Sequence, residues 1–210
     1  MHTYGWDIAP RLVGAGIWRR AYLEVLQPER WTDLYLVTTA VSNRKSQLVL
    51  SWNFESDAAA LTGYEAHISF VCRDRRHEER FPLYFTTGTK YIELENAYLW
   101  FPRGSGEQNL YTVTLELIHN GKTVDTRIWK TGIRTVDLHR SEMLDGEMKG
   151  EFVFVINGRK IFIKGSNWVP ADALHGERPE RVKNALDLFV DLGCNMVRCW
   201  GGNVYEDEEF

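Results

Sequence analysis

From about Leu34 to Arg134 the chain keeps a period of two. Leu48, Leu50, Trp52 and Phe54 alternate with Val49, Ser51, Asn53 and Glu55; Tyr64, Ala66, Ile68, Phe70 and Cys72 alternate with mostly polar neighbours; Tyr111, Val113, Leu115 and Leu117 do the same. Successive side chains on a strand point to opposite faces, so each run describes a strand with one buried side. Asn120-Gly121 separates two such runs, and both central residues of a tight hairpin turn need positive φ, which Asn and Gly tolerate best. Strands broken by regular turn signals, with no helical stretch among them, predict an antiparallel β-sandwich of the immunoglobulin-like kind. No cysteine pair staples it: the sequence has 3 Cys, and Cys72 falls on a buried face as a small core residue. Packing alone must hold this domain.

After Arg134 the pattern changes. Phe152 to Ile156, Asn157-Gly158 and Ile161 to Lys164 read as a further hairpin. Pro179 then opens a segment in which Val182, Ala185, Leu186, Phe189 and Val190 recur at helical spacing, and Gly193 closes it. The apolar stretch Met196 to Trp200 follows, short enough for a buried parallel strand, so Ile161 to Trp200 predicts a β-α-β crossover. One crossover cannot close a sheet, and the expectation is a larger α/β domain continuing past Phe210. The head, dense in Trp, Gly and charge, reads as the end of a preceding domain. The expected organisation is therefore mainly β, with residues 1–27 ending one domain, 28–134 forming the sandwich, and 135–210 opening an incomplete (β/α) barrel.

Composition excludes several functions. With 44% hydrophobic and 26% charged residues the chain is an ordinary globular sequence and not a disordered one. No apolar run approaches the roughly 18 residues of a membrane span, so no membrane partner is expected. The charge, 25 Lys plus Arg against 29 Asp plus Glu, is 25 − 29 = −4, which gives no basic footprint for a nucleic acid. The first ten residues carry neither the charged start nor the apolar stretch of a signal peptide, and the compartment stays open.

No GxSxG elbow, P-loop, GxGxxG or HExxH occurs, and the six His stand at no metal-ligand spacing. The acidic run Glu206 to Glu209 reads as the solvated first turn of a helix, not as paired catalytic carboxylates. What remains are the loops after two parallel strands, at the strand ends where such folds put their sites. The first holds Trp168 and Asp172, the second Arg198 and Trp200. Each joins an aromatic plane to a charged group, the pairing a sugar needs for its C–H face and its hydroxyls.

These strings resemble a known family. KGSNWVPAD at Lys164 to Asp172, followed after the helix by RCWGGNVYE at Arg198 to Glu206, is similar to the start of the catalytic barrel in β-mannosidases of glycoside hydrolase family 2. GWDIAPRLVGAGIWR at Gly5 to Arg19 resembles the tail of that family's sugar-binding jelly-roll domain. LWFPRGSGEQNLY at Leu99 to Tyr111 and TGIRT at Thr131 to Thr135 resemble its last immunoglobulin-like strands and the entry to the barrel. The resemblance implies retaining hydrolysis of terminal β-D-mannosides by the full-length protein, with no cofactor or metal and a carbohydrate substrate. It implies substrate-binding roles for Trp6, Asp7, Trp168, Asp172, Arg198 and Trp200. It places both catalytic glutamates on barrel strands beyond Phe210, so residues 1–210 alone are expected to be inactive. Trp200-Gly-Gly, where related galactosidases and glucuronidases carry a His-containing turn, favours a mannoside. Exo-β-glucosaminidases, endo-β-mannosidases and a non-catalytic immunoglobulin-like module are the alternatives.

Overall fold

In the computed structural model the described residues are 5, 11–13, 16–17, 21–42, 44–141, 150–172, 176, 179–202, 205–206 and 210. The chain divides into two compact units, one of Val25–Phe162 and one of Met1–Glu24 with Ile163–Phe210.

The first unit is a two-sheet sandwich. One sheet has the order β1-β2-β5, from Arg30–Val41, Lys45–Glu55 and Thr87–Glu95; the other has the order β4-β3-β6-β7, from Arg75–Pro82, Tyr64–Cys72, Tyr111–His119 and Lys122–Thr131. All neighbours are antiparallel, and the strand order is that of an immunoglobulin-like domain. The period of two is realised residue by residue: Tyr64, Ala66, Ile68, Phe70 and Cys72 of β3 and Tyr111, Val113, Leu115 and Leu117 of β6 are all buried in the space between the sheets. Cys72 is a free thiol in that core, as are Cys194 and Cys199 elsewhere, so no disulfide contributes. The hairpin turns follow from two Asn-Gly pairs. Asn120 and Gly121 sit at φ 50° and 79°, and Asn157 and Gly158 at 51° and 76°, the left-handed conformations that the tight turn requires.

Polar contacts clamp the sandwich where packing ends. The Trp31 N–H donates to Asp125 Oδ2 at 2.8 Å, and Arg127 donates to the Trp31 carbonyl at 3.0 Å, which ties β1 to β7 across the two sheets. At one end of the core the Tyr64 hydroxyl donates to Glu29 and lies 2.7 Å from Ser56 Oγ. His119 stacks on the Tyr64 ring with centroids 4.0 Å apart and bonds the same Glu29 oxygen at 2.6 Å. At the start of β6 the Tyr111 hydroxyl accepts the Tyr98 N–H at 2.8 Å, pinning the preceding connection.

Burial raises the pKa of both tyrosines, Tyr64 further through the neighbouring Glu29 carboxylate. The folded state therefore holds these protons to higher pH than the unfolded chain, whose tyrosines ionise near about 10. Their contribution is complete below that value and is lost as pH rises through and above it. Chemical denaturation between about pH 9 and pH 11 is expected to show a falling unfolding free energy, with a shallower fall in Tyr111→Phe. An equal slope in both proteins would exclude this origin.

A small sheet β8-β9-β10, from Val136–Arg140, Phe152–Ile156 and Arg159–Ile161, completes this unit. The sequence pattern puts the hairpin's second strand at Ile161 to Lys164, whereas pairing runs from Arg159 to Ile161. The two-residue Asn157-Gly158 turn is the reason, because it forces the partner strand to begin at once. Strand β8 pairs with β9 and has no counterpart in the sequence reading. Asn157 locks this sheet to the sandwich: its amide nitrogen donates to the Trp100 carbonyl, and its Oδ1 accepts the Thr135 N–H, both at 2.9 Å. The Arg134 guanidinium covers the Trp100 ring at 4.5 Å, and Arg159 covers Phe101 at 4.9 Å.

The second unit contains one β-α-β crossover: β11 (Gly165–Trp168), helix α1 (Pro179–Asp191) and β12 (Met196–Cys199), with the strands parallel. The crossover starts at Gly165, not at Ile161, because Ile161 is committed to the hairpin. Pro179 occupies the first helical position as its missing N–H allows. The helix stops at a Schellman motif, in which Cys194 N–H reaches the Phe189 carbonyl and Gly193, at φ 72°, reaches that of Val190. A closed barrel is not seen in the described residues.

Candidate functional site

The two parallel strands set the geometry of the loops that follow them. Gly165 faces Met196 and Trp168 faces Cys199, with Asn167 opposite Arg198 between them. A Cβ on Gly165 would fall 2.0 Å from the Met196 carbonyl oxygen, so only glycine permits this approach of the strands. Asn195 anchors the entry by accepting the Lys164 N–H at Oδ1 and donating its own N–H to the Lys164 carbonyl, each at 2.8 Å.

Alternation along β11 sorts the side chains between two faces. The Trp168 ring lies against α1, its centroid 6.5 Å from that of Phe189 and 5.0 Å from that of Phe210. Asn167 and Arg198, one residue earlier in register, point to the face away from the helix. There Arg198 donates to Asn167 Oδ1 at 3.0 Å. This neighbour fixes the guanidinium by one N–H and leaves the rest of its donor fork exposed.

The six candidate residues separate accordingly. Arg198 is exposed at the end of β12, and Trp200, half-buried, follows it. The Trp200 N–H donates to the Trp168 carbonyl at 3.1 Å, which carries the parallel ladder one step beyond Cys199. A Cβ on Gly202 would meet the Trp200 ring at 2.3 Å, so the glycine turn folds back against the indole. Asp172 is half-buried at the bend after β11. Trp168 is 4% exposed, and its faces are turned to Phe189 and Phe210. Trp6 and Asp7 lie outside the described residues.

Two residues of this site escaped the sequence reading. Asn167, named only as part of a loop, is the partner that orients Arg198; strand parity relative to Trp168 is the signal that could have found it. Glu206, read as part of a solvated helical turn, is half-buried, lies outside any helix and accepts the Trp168 Nε1–H at 2.6 Å. Among the described residues no group of three or more His, Cys, Asp or Glu is placed to hold a metal ion. No helix there is long and apolar enough to cross a membrane.

Comparison with known proteins bears on what the arrangement serves. Residues 37–134 match the family model for glycosyl hydrolases family 2. Over its whole length the chain is 30% identical to beta-mannosidase B of Emericella nidulans, of which it covers 25%, and 31% identical to beta-mannosidase B of Aspergillus terreus, of which it covers 24%. Among solved structures, all of the chain superposes on 26% of a beta-D-mannosidase from Dictyoglomus thermophilum, with TM-score 0.81 and 33% identity. An exo-chitosanase from Amycolatopsis orientalis, at 20% identity and TM-score 0.65 over 87% of this chain and 21% of that one, shares the fold. The chain thus spans about a quarter of the length of the curated relatives it matches.

Proposed function

This chain belongs to glycosyl hydrolase family 2 through the domain at residues 37–134, and on that premise we propose that its parent protein hydrolyses terminal β-D-mannosides with retention of configuration. The observation that carries the reading is the pairing of Arg198 with Asn167 beside Trp200, in a chain alike from end to end to mannosidases. An exposed, oriented guanidinium beside an indole suits a pyranose: the planar fork donates to ring hydroxyls while the indole covers the apolar C–H face.

In this reading Arg198 and Trp200 contact the sugar, Asp172 accepts from its hydroxyls, and Trp6 with Asp7 closes the subsite from the N-terminal segment. That segment, Met1–Glu24, falls in the same compact unit as Ile163–Phe210. Trp168 stands behind these groups and supports them. The chemistry itself uses two glutamates on later barrel strands. One protonates the departing oxygen while the other, about 5–5.5 Å away, attacks the anomeric carbon, and water then releases the covalent glycosyl intermediate.

The test is the whole parent protein assayed on a panel of aryl β-glycosides. The β-mannoside is expected to be cleaved at least about tenfold faster, in kcat/KM, than the β-glucosaminide, β-galactoside or β-glucuronide. The first sugar product seen by proton NMR is expected to be the β anomer. A preferred β-glucosaminide would move the assignment to the exo-glucosaminidases, and an α anomer would exclude the retaining mechanism.

A further inference from the structure

The loop that carries Trp200 is closed at both ends by one residue. At its start the Trp200 N–H donates to the Trp168 main-chain carbonyl at 3.1 Å. At its end the Trp168 indole N–H donates to Glu206 Oε1 at 2.6 Å. Trp168 is itself fixed, buried at 4% exposure with Phe189 and Phe210 against its ring. We infer that Glu206 is a positioning residue, which with Trp168 clasps the loop shut and so holds Trp200 and Arg198 in place for the sugar.

The sequence of the loop explains why it needs a clasp. Gly201 and Gly202 follow Trp200, and two adjacent glycines leave a backbone its widest conformational choice. Nothing stands near the position a Gly201 side chain would take. Without a tie at the far end, the turn could leave the indole in many orientations, and binding a sugar would then have to freeze it at an entropic cost. A carboxylate needing only solvation would face water. Glu206 instead gives up part of its hydration for a short, charge-assisted hydrogen bond to a buried donor. That donor belongs to the residue already holding the loop's other end. The indole role also accounts for a tryptophan at position 168 where packing against Phe189 would accept any large apolar side chain.

This inference rests on the glycosidase reading only in taking a sugar as what the loop presents. The experiment uses the whole parent protein and the aryl glycoside of the panel that it cleaves best, so a change of sugar does not affect it. Glu206→Leu and Trp168→Phe are each expected to raise KM about tenfold, the worth of one hydrogen bond to a charged group, with kcat held within about threefold. Glu206→Gln keeps the acceptor oxygen and is expected to restore KM to within about threefold of the parent. The double variant Trp168→Phe/Glu206→Leu is expected to be no worse than the worse single change, since one bond joins the two. An unchanged KM in Glu206→Leu, a failure of Gln to rescue, or additive losses in the double variant would each overturn the clasp. Should Glu206→Leu fail to fold, Trp168→Phe against Glu206→Gln carries the same comparison. If no glycoside of the panel is cleaved, the glycosidase reading fails by itself. The clasp is then judged by the same cycle in melting temperature, where non-additive losses support it and additive ones end it.

Discussion

Phe70→Ala will lower the stability of the sandwich by about 3–5 kcal/mol, the usual loss when a large aromatic is truncated in a packed core. Phe70 is 0% exposed in the middle of β3, opposite Val113 of β6 and His77 of β4. Its neighbours are fixed by strands on both sides and cannot collapse into the space. With no disulfide to bias the unfolded state, the core has nothing else to draw on. For a unit of this size such a loss corresponds to about 10–17 °C in Tm. The control is the next residue along. Val71 points outward and is 38% exposed, so Val71→Ala is expected to stay within about 1 kcal/mol. Thermal and denaturant unfolding of the two variants side by side reads the period of two directly, and equal losses would mean that the alternation does not govern this fold.

The contrast between Phe70 and Val71 also shows why the sandwich was legible in the sequence. Where one face of a strand is buried, parity fixes each side chain's side; β3 keeps it throughout and β6 keeps it from Tyr111 to Leu117, where a register shift against β7 buries Ile118 as well. Asn120-Gly121 and Asn157-Gly158 were legible for a different reason, since their backbone conformation is closed to most other residues. Strand β8 was not legible. All five of its residues are exposed, so it carries no burial signal and owes its place to the edge of β9 that it pairs with. The helix was visible through its periodicity and Gly193, and β12 through its apolar content, whereas β11, with the sequence GSNW, carries no apolar run and the apolar signal lies just before it at Ile161 to Lys164. What the sequence could not give was which side of β11 each residue faces. That depends on which face α1 covers, a tertiary fact. Trp168, for which the resemblance implies a substrate-binding role, packs its ring on Phe189, and its neighbour Asn167 pairs with Arg198. Glu206 was hidden by its acidic neighbours, since a run of like charges reads as a solvated face whichever member turns inward.

Arg198→Ala in the whole parent protein is expected to lower kcat/KM on the preferred aryl glycoside by about 100-fold while leaving Tm nearly unchanged. The two halves of this expectation have separate causes. Arg198 is exposed and bonds only Asn167 among the described residues, so its removal uncovers no buried group and costs little stability. A charged hydrogen bond to a sugar hydroxyl in a closed site is worth about 1.5–3 kcal/mol, and losing it in the transition state costs roughly 10- to 150-fold. Arg198→Lys should recover little of this. A lysine ammonium keeps the charge but not the planar fork, which can hold Asn167 with one arm and a hydroxyl with another. Asn167→Ala should fall between, with a loss of a few-fold from the freed guanidinium, worth about 0.5–1.5 kcal/mol. That order, Ala and Lys at position 198 both severe and Ala at 167 mild, is the one expected under the proposed function, in which the guanidinium meets the substrate and the amide aims it. Full activity in Arg198→Lys would show that charge alone is recognised, and full activity in Arg198→Ala would remove this face of the strands from the sugar site.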